Sequence, residues 1–210
     1  LTRGVPGTHD LSLINKTIKK LRKRNFKTVF IPKFDKSIDD RSRKSKWQKI
    51  KNPPNVIIFE GWCVGAKHQK SSDLKKSLNL IERKYDLDLS WRKTVNNCLK
   101  NQYKKLFNKI DKLVYLKAPS FDYIFKWRLL QEKKMKLTLK SKKIMSKSQI
   151  KEFIMFYERI TKNMLLIGAM LAVLLSAMLS ARPSDHQGRP ELVSLPAGAR
   201  FARTPDNESE

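Results

Sequence analysis

Apolar positions along the chain switch between two periods. Leu11, Ile14, Ile18 and Leu21 fall three or four apart, the spacing of one helix face, with Asp10 ahead of them as an N-cap. Arg22, Lys23 and Arg24 follow, where cations suit the C-terminal end of the helix dipole. Thr28–Ile31 then predicts a short strand stopped by Pro32, and the polar stretch 33–55 predicts a long loop. Val56–Phe59 is a continuous apolar run, as in a strand of a parallel sheet buried on both faces. Asp73 with Leu74, Leu78 and Ile81 predicts a helix, and Trp91, Val95, Cys98, Leu99, Leu106 and Ile110 predict a longer one. Leu113–Leu116 reads as another strand. Ser120 opens a helix carrying Phe121, Ile124, Phe125 and Leu129. Ser146-Lys147-Ser148-Gln149 is a capping box ahead of Ile150, Phe153, Tyr157 and Ile160. Strands alternating with helices predict an α/β fold, a parallel sheet flanked by helices.

Composition narrows the class. With 40% hydrophobic residues in 210, the chain can build a core and is not wholly disordered. Two cysteines without a CxxC spacing and three histidines make neither a disulfide framework nor a zinc-type cluster. A reducing, cytoplasmic setting is therefore expected. No signal peptide opens the chain, which begins Leu1-Thr2-Arg3-Gly4 without Met, as if inside a longer protein. The formal charge is +27, the sum of +28 on residues 1–162 and −1 on the rest. The tail from Asn163 has no lysine, and its four arginines face five carboxylates, a net of −1. So much positive charge invites a nucleic-acid-binding module as an alternative function. The lysines are spread through every segment, however, and no RNP aromatics, GXXG loop or zinc finger accompanies them, so no specific nucleic acid is expected.

Three polar clusters stand where an α/β fold places ligands, beyond the carboxyl ends of strands or at a helix N-terminus. They are Arg3-Gly4-Val5-Pro6-Gly7-Thr8-His9-Asp10, then Pro32-Lys33-Phe34-Asp35-Lys36-Ser37 with Asp39-Asp40-Arg41, and Glu60-Gly61-Trp62-Cys63-Val64-Gly65. Each could equally be a plain turn or cap. Together they resemble the RGxPGTHD, PK(F/Y)DKS and EGWxxG segments of P-loop kinases of the D-glycerate 3-kinase type, relatives of uridine kinase and pantothenate kinase. Lys126-Trp127-Arg128-Leu129-Leu130-Gln131-Glu132 is similar to the lid stretch of that family, and Met145-Ser146 with Phe153 and Tyr157 to the segment after it. The resemblance runs over roughly residues 1–164.

That resemblance implies a partial kinase-like domain over 1–163 with a lid at about 126–146. It also implies transfer of the γ-phosphate of ATP, with Mg²⁺, to a small hydroxylated acceptor such as glycerate. It assigns catalytic roles to Asp35, Arg41, Glu60 and Arg128, with Arg128 also closing on the nucleotide. It assigns acceptor binding to His9, Asp10, Lys33 and Lys36; no protein ligand set for a metal is implied. An arginine fork suits phosphoryl oxygens because it donates two parallel hydrogen bonds. Four features depart from the family pattern. No G-x-x-x-x-G-K-[ST] phosphate loop exists in these residues, the acidic residues expected before PGTHD are missing, Ser37-Ile38-Asp39-Asp40-Arg41 has no glycine, and the tail stands where the last strand belongs. A fold lacking the first strand and the phosphate loop is expected to be inactive as these 210 residues.

Met164–Ala181 is 18 residues without a charge, roughly 27 Å as a helix. It is a candidate membrane span, and with it a tail-anchored membrane protein is a second alternative. A buried terminal helix or an out-of-frame end would read the same way. Residues 182–210 lack periodicity and are expected to be a disordered tail.

Overall fold

The computed structural model describes residues 3–35, 38, 40–138, 145–170 and 192–196. These divide into two units. The first takes residues 1–64, 102–109 and 176–210, and the second residues 65–101 and 110–175.

In the first unit, helix α1 (Leu11–Leu21) starts where Asp10 caps it, the carboxylate accepting from Leu13 N–H at 2.9 Å. Its inward residues Ile14, Ile18 and Leu21 pack with Val29 and Ile31 of β1 (Val29–Ile31), Ile50, and Leu106 in one apolar cluster. β1 pairs antiparallel with β4 (Gln48–Ile50), so Val29 faces Ile50 and Ile31 faces Gln48. Between them lie β2 (Phe34–Asp35), β3 (Asp40–Arg41), which pair antiparallel, and a 3₁₀ turn at Lys44–Lys46. Thus the stretch expected as a long loop is a folded excursion that returns to pair with β1.

β5 (Val56–Glu60) alternates rather than burying both faces. Ile57 and Phe59 are packed against the core, while Val56, Ile58 and Glu60 are exposed. A strand with a core on one face only can bury every second side chain. Its parallel partner is β6 (Leu192–Pro196), with Val56 opposite Leu192 and Glu60 opposite Pro196. This corrects the expectation of a disordered tail for 192–196: a run of Leu, Val and Leu supplies a strand that the edge of β5 can take. The expected parallel sheet is not shown among the described residues. Among the described residues there are three two-stranded ladders, two antiparallel and one parallel.

The second unit is helical. It contains α2 (Ser71–Lys75), α3 (Leu80–Tyr85), α4 (Ser90–Cys98), α6 (Phe121–Thr138) and α7 (Lys147–Met170); a π-helical turn, Leu99–Tyr103, leads to α5 (Lys104–Phe107), whose residues belong to the first unit. Asp73 lies inside α2, and the side-chain cap belongs instead to Asn79, which accepts from Glu82 N–H at the start of α3. The capping box at α7 is realised reciprocally. Gln149 N–H donates to Ser146 Oγ at 3.3 Å, and Ser146 N–H to Gln149 Oε1 at 2.8 Å.

Buried charges tie these helices. Arg159 of α7 grips Glu82 of α3 through Nε and a terminal nitrogen, both at 2.7 Å. Arg92 of α4 donates to Asp86 at 2.6 Å and to the Leu74 carbonyl at 2.9 Å, and Asn79 donates to Glu158 and to the Met155 carbonyl. Each buried charge is matched and hydrogen-bonded, which makes its desolvation tolerable.

The expected strand Leu113–Leu116 does not form. Val114 and Leu116 are 66% and 90% exposed, and no neighbouring strand offers hydrogen bonds among the described residues. Leu113 instead lies against Gly65, whose φ of +81° and lack of a Cβ permit the approach; a Cβ there would sit 2.7 Å from Leu113. The boundary expected at 163 falls inside α7. Asn163 donates to the Lys67 carbonyl at 3.0 Å and Met164 is buried. No helix among the described residues is long and apolar enough to cross a membrane, and residues 171–181 of the candidate span lie outside them.

Candidate functional site

The first unit brings the three polar clusters together. Gly4 and Gly7, with φ of 96° and 103°, turn the chain through Arg3–Asp10, and Val5 and Pro6 are fully buried beneath it. Thr8 Oγ1 closes the turn by accepting from Gly4 N–H at 2.9 Å and donating to the Val5 carbonyl at 2.8 Å. The Trp62 indole N–H, from the cluster after β5, donates to the Gly4 carbonyl at 2.8 Å. Arg41 of β3 reaches Asp10 at 3.2 Å, and the Arg3 guanidinium lies 4.7 Å from the centre of the Phe34 ring. Asp10 thus divides its carboxylate: Oδ1 caps α1 and Oδ2 meets Arg41.

His9 is 6% exposed. Its Nδ1 lies 2.6 Å from the Tyr103 hydroxyl, which also accepts from Gly7 N–H at 3.0 Å. Burial lowers the imidazole pKa to about 4, so the ring is neutral at pH 7. Its Nε2 is buried and has no hydrogen-bond partner among the described residues.

The other expected residues are placed less tightly. Lys33 is exposed, and its carbonyl accepts from both the amide and the hydroxyl of Ser42 at 2.8 Å. Asp35 stands opposite Asp40 on the β2–β3 pair and is half-buried. Glu60, at the end of β5, is exposed. Lys36 lies outside the described residues. Among those residues no three His, Cys, Asp or Glu side chains are grouped to hold a metal ion.

Arg128 belongs to the second unit, on α6. Its two terminal nitrogens donate to Gln131 Oε1 and Glu132 Oε1, both at 2.5 Å, and its guanidinium lies over the Phe153 ring. Glu132 is buried, and its other oxygen accepts from Met145 N–H at 3.2 Å. One carboxylate therefore holds both Arg128 and Met145, the residue that follows 139–144, which lie outside the described residues.

Three participants escaped the sequence argument. Glu132 follows Arg128 by four residues, a spacing that could have announced the pair. Trp62 stood inside a quoted motif without a role. Tyr103 gave no signal, because its position between Leu99 and Leu106 looks like an ordinary core face of a helix.

Comparison with known proteins finds relatives among kinases. No protein-family model matches the chain. An uncharacterized kinase of Schizosaccharomyces pombe, mug58, is 35% identical over 162 residues, covering 74% of this chain and 56% of that protein. The chloroplastic D-glycerate 3-kinase of Arabidopsis thaliana is 31% identical over 137 residues, covering 62% of this chain and 27% of that protein. A solved D-glycerate 3-kinase from Cryptococcus neoformans superposes with a TM-score of 0.63 at 29% identity, over 77% of this chain and 57% of that one. The chain spans about half the length, or less, of the curated relatives it matches. The fold is α/β with helices, and a D-glycerate 3-kinase is among its structural neighbours. These similarities establish the chain as a homologue of kinases of the D-glycerate 3-kinase type.

Proposed function

We propose that the described residues form the acceptor-binding and lid portions of an ATP-dependent kinase that phosphorylates a small hydroxylated acid such as glycerate. The observation that carries this reading is the convergence of Arg3–Asp10, Phe34–Arg41 and Trp62 through the Trp62–Gly4, Asp10–Arg41 and Arg3–Phe34 contacts. Residues distant in sequence thereby supply guanidinium, carboxylate and amide groups around one turn, as recognition of a small polyoxygenated anion requires.

In this reading His9, Asp10, Lys33 and Lys36 bind the acceptor, and Asp35 and Arg41 orient its reacting hydroxyl. Arg128 leaves Glu132 to meet nucleotide phosphates, exchanging one anionic partner for another. Mg²⁺ would be held by one or two carboxylates together with substrate phosphates and water, the usual habit of that ion. Glu60, exposed at a strand end, suits such a role because it needs no preformed cage. The ion would neutralise charge developing on the transferred phosphoryl group. Without a phosphate loop, these 210 residues have no backbone cradle for the triphosphate, and alone they turn over no acceptor.

The test is an ADP-release assay with D-glycerate. The 210-residue chain should show no turnover above background. A longer chain that carries a Walker-type loop ahead of Arg3 should show it. In that longer chain Asp35→Ala and Arg41→Ala should lower kcat/KM for the acceptor by about tenfold or more, the scale of one lost charged hydrogen bond. Arg128→Ala should lower kcat mainly. Changes under about threefold in all three variants would sink the assignment.

A further inference from the structure

We propose that the first unit carries a basic depression, lined by Arg24, Lys27 and Lys51, that binds the phosphodiester backbone of a single-stranded nucleic acid. The proposal does not rest on the acceptor-site reading. Lys27 precedes β1, whereas Phe34 to Arg41 follow it, so the depression stands at the start of that strand and the candidate acceptor residues beyond its end.

Lysines are spread along the chain, but the carboxylates that would neutralise them are not. No Asp or Glu occurs from Leu11 to Phe34, a stretch with eight Lys and Arg, or from Ser42 to Phe59, a stretch with five. In residues 65–101 of the second unit, by contrast, nine cations are interleaved with four carboxylates. The antiparallel pairing of β1 with β4 brings the two acid-free stretches side by side. At one end of that ladder, the connection from α1 to β1 supplies Arg24, Asn25, Phe26 and Lys27, and the connection after β4 supplies Lys51, Asn52 and Pro53. Together they line an open depression of about 500 Å³. Arg24, Lys27 and Lys51 are exposed, and none of them pairs with a carboxylate among the described residues. A concave surface lined by one sign of charge focuses the field and draws anions to itself.

The lining matches a nucleic acid better than an acidic peptide. The arginine fork and the two ammonium groups suit phosphate oxygens, and the Asn25 and Asn52 amides can donate and accept at sugar hydroxyls and base edges. An aromatic ring stands on the same ladder. Half-buried Phe30 faces Lys49 across the strands, on the side opposite buried Val29 and Ile50, and Lys44 Nζ lies 5.9 Å from its ring centre. Aromatic rings beside cations hold unpaired bases by stacking and their phosphates by charge, which favours a single strand over a duplex. Contacts to phosphate carry no sequence information, so the strand is bound by its backbone and not by its sequence.

The experiment is fluorescence anisotropy of a labelled oligouridylate of about 20 nucleotides, titrated with the 210-residue chain between about 50 and 200 mM salt. Arg24→Gln, Lys27→Gln and Lys51→Gln are combined in one variant. Lys75→Gln, Lys93→Gln and Lys100→Gln, at three exposed lysines of the second unit, make a second variant of equal net charge. All six side chains are exposed, so the substitutions leave the core intact. The first triple should weaken binding by about tenfold or more and reduce the slope of log K against log salt by about 2, the share of three phosphate contacts to a single strand. The second should weaken binding by less than about threefold and leave the slope as it is. Equal losses in the two triples overturn the proposal, since the charge of the whole chain would then account for binding. Polyglutamate that displaces the strand as well as unlabelled oligouridylate does, at equal charge, overturns the nucleic-acid assignment in favour of an acidic protein. A duplex of the same length bound more tightly overturns the single-strand assignment, and absence of wild-type binding at about 150 mM salt overturns the proposal as a whole.

Discussion

Both units bury apolar side chains, but they differ in how they use charge. In the first, Ile14, Ile18, Leu21, Val29, Ile31, Ile50 and Leu106 form an ordinary apolar core, and the polar side chains gather above it on glycine turns and short strands. In the second, short helices are joined by Glu82, Asp86, Arg92 and Arg159, charges withdrawn from water and satisfied by one another and by backbone carbonyls. An apolar core has no directional demands, so it can support loops whose polar groups remain available to a ligand. A buried ionic network uses up the hydrogen-bonding capacity of its members and fixes helix ends instead. That difference explains why the candidate acceptor residues cluster in the first unit, while in the second Arg128 is engaged by Glu132.

Breaking the network should have the largest effect. Glu82→Ala leaves Arg159 without its carboxylate and removes the acceptor of Leu78 N–H, and should cost about 3–5 kcal/mol in urea unfolding. Hydrogen exchange should locate the loss in α3, α4 and α7. A change below about 1 kcal/mol would mean that apolar packing, not charge, holds these helices.

The first unit should show its own weakness in acid. The folded state resists protonating His9 until about pH 4, whereas the unfolded chain takes up the proton near 6.5. Between these values the unfolded state binds more protons, so stability falls as pH falls. The contribution is complete above pH 6.5 and lost by pH 4, about 3 kcal/mol at roughly 1.4 kcal/mol per pH unit. The check is the pH dependence of urea unfolding for wild type against His9→Gln, which should lack this slope.

The smallest of these effects separates the two duties of Asp10. Asp10→Ala should cost about 1–2 kcal/mol from the lost helix cap, while Asp10→Asn should retain most of the cap and lose only the charge facing Arg41. Circular dichroism melts of the two variants give the comparison. Equal destabilisation would show that the Arg41 contact, not the cap, is what Asp10 supplies to the fold.

Local chemistry settled a good part of this molecule in advance. Asp10 had to cap α1, because an aspartate before an amphipathic run satisfies an orphan N–H. Ser146 and Gln149 had to box the start of α7 for the same reason. Helix faces such as Ile14, Ile18 and Leu21 could be read from spacing, since 3.6-residue periodicity is a property of neighbours in the chain. Likewise Arg3–Asp10, Pro32–Ser37 with Asp39–Arg41, and Glu60–Gly65 could be singled out as polar segments at element ends. Pairing between distant segments was not available from spacing. Ile57 and Phe59 turn inward and Ile58 outward because one face of β5 meets a core; Leu113–Leu116 stays out of any ladder among the described residues; Leu192–Pro196 joins β5 although its surroundings in sequence suggested no structure. The same holds for chemistry. Only the tertiary structure sets Tyr103 beside His9 across 94 residues and turns a conventional histidine into a neutral one whose Nε2 has no partner among the described residues, because desolvation and hydrogen-bond partners are properties of the surroundings in space and not of the residue.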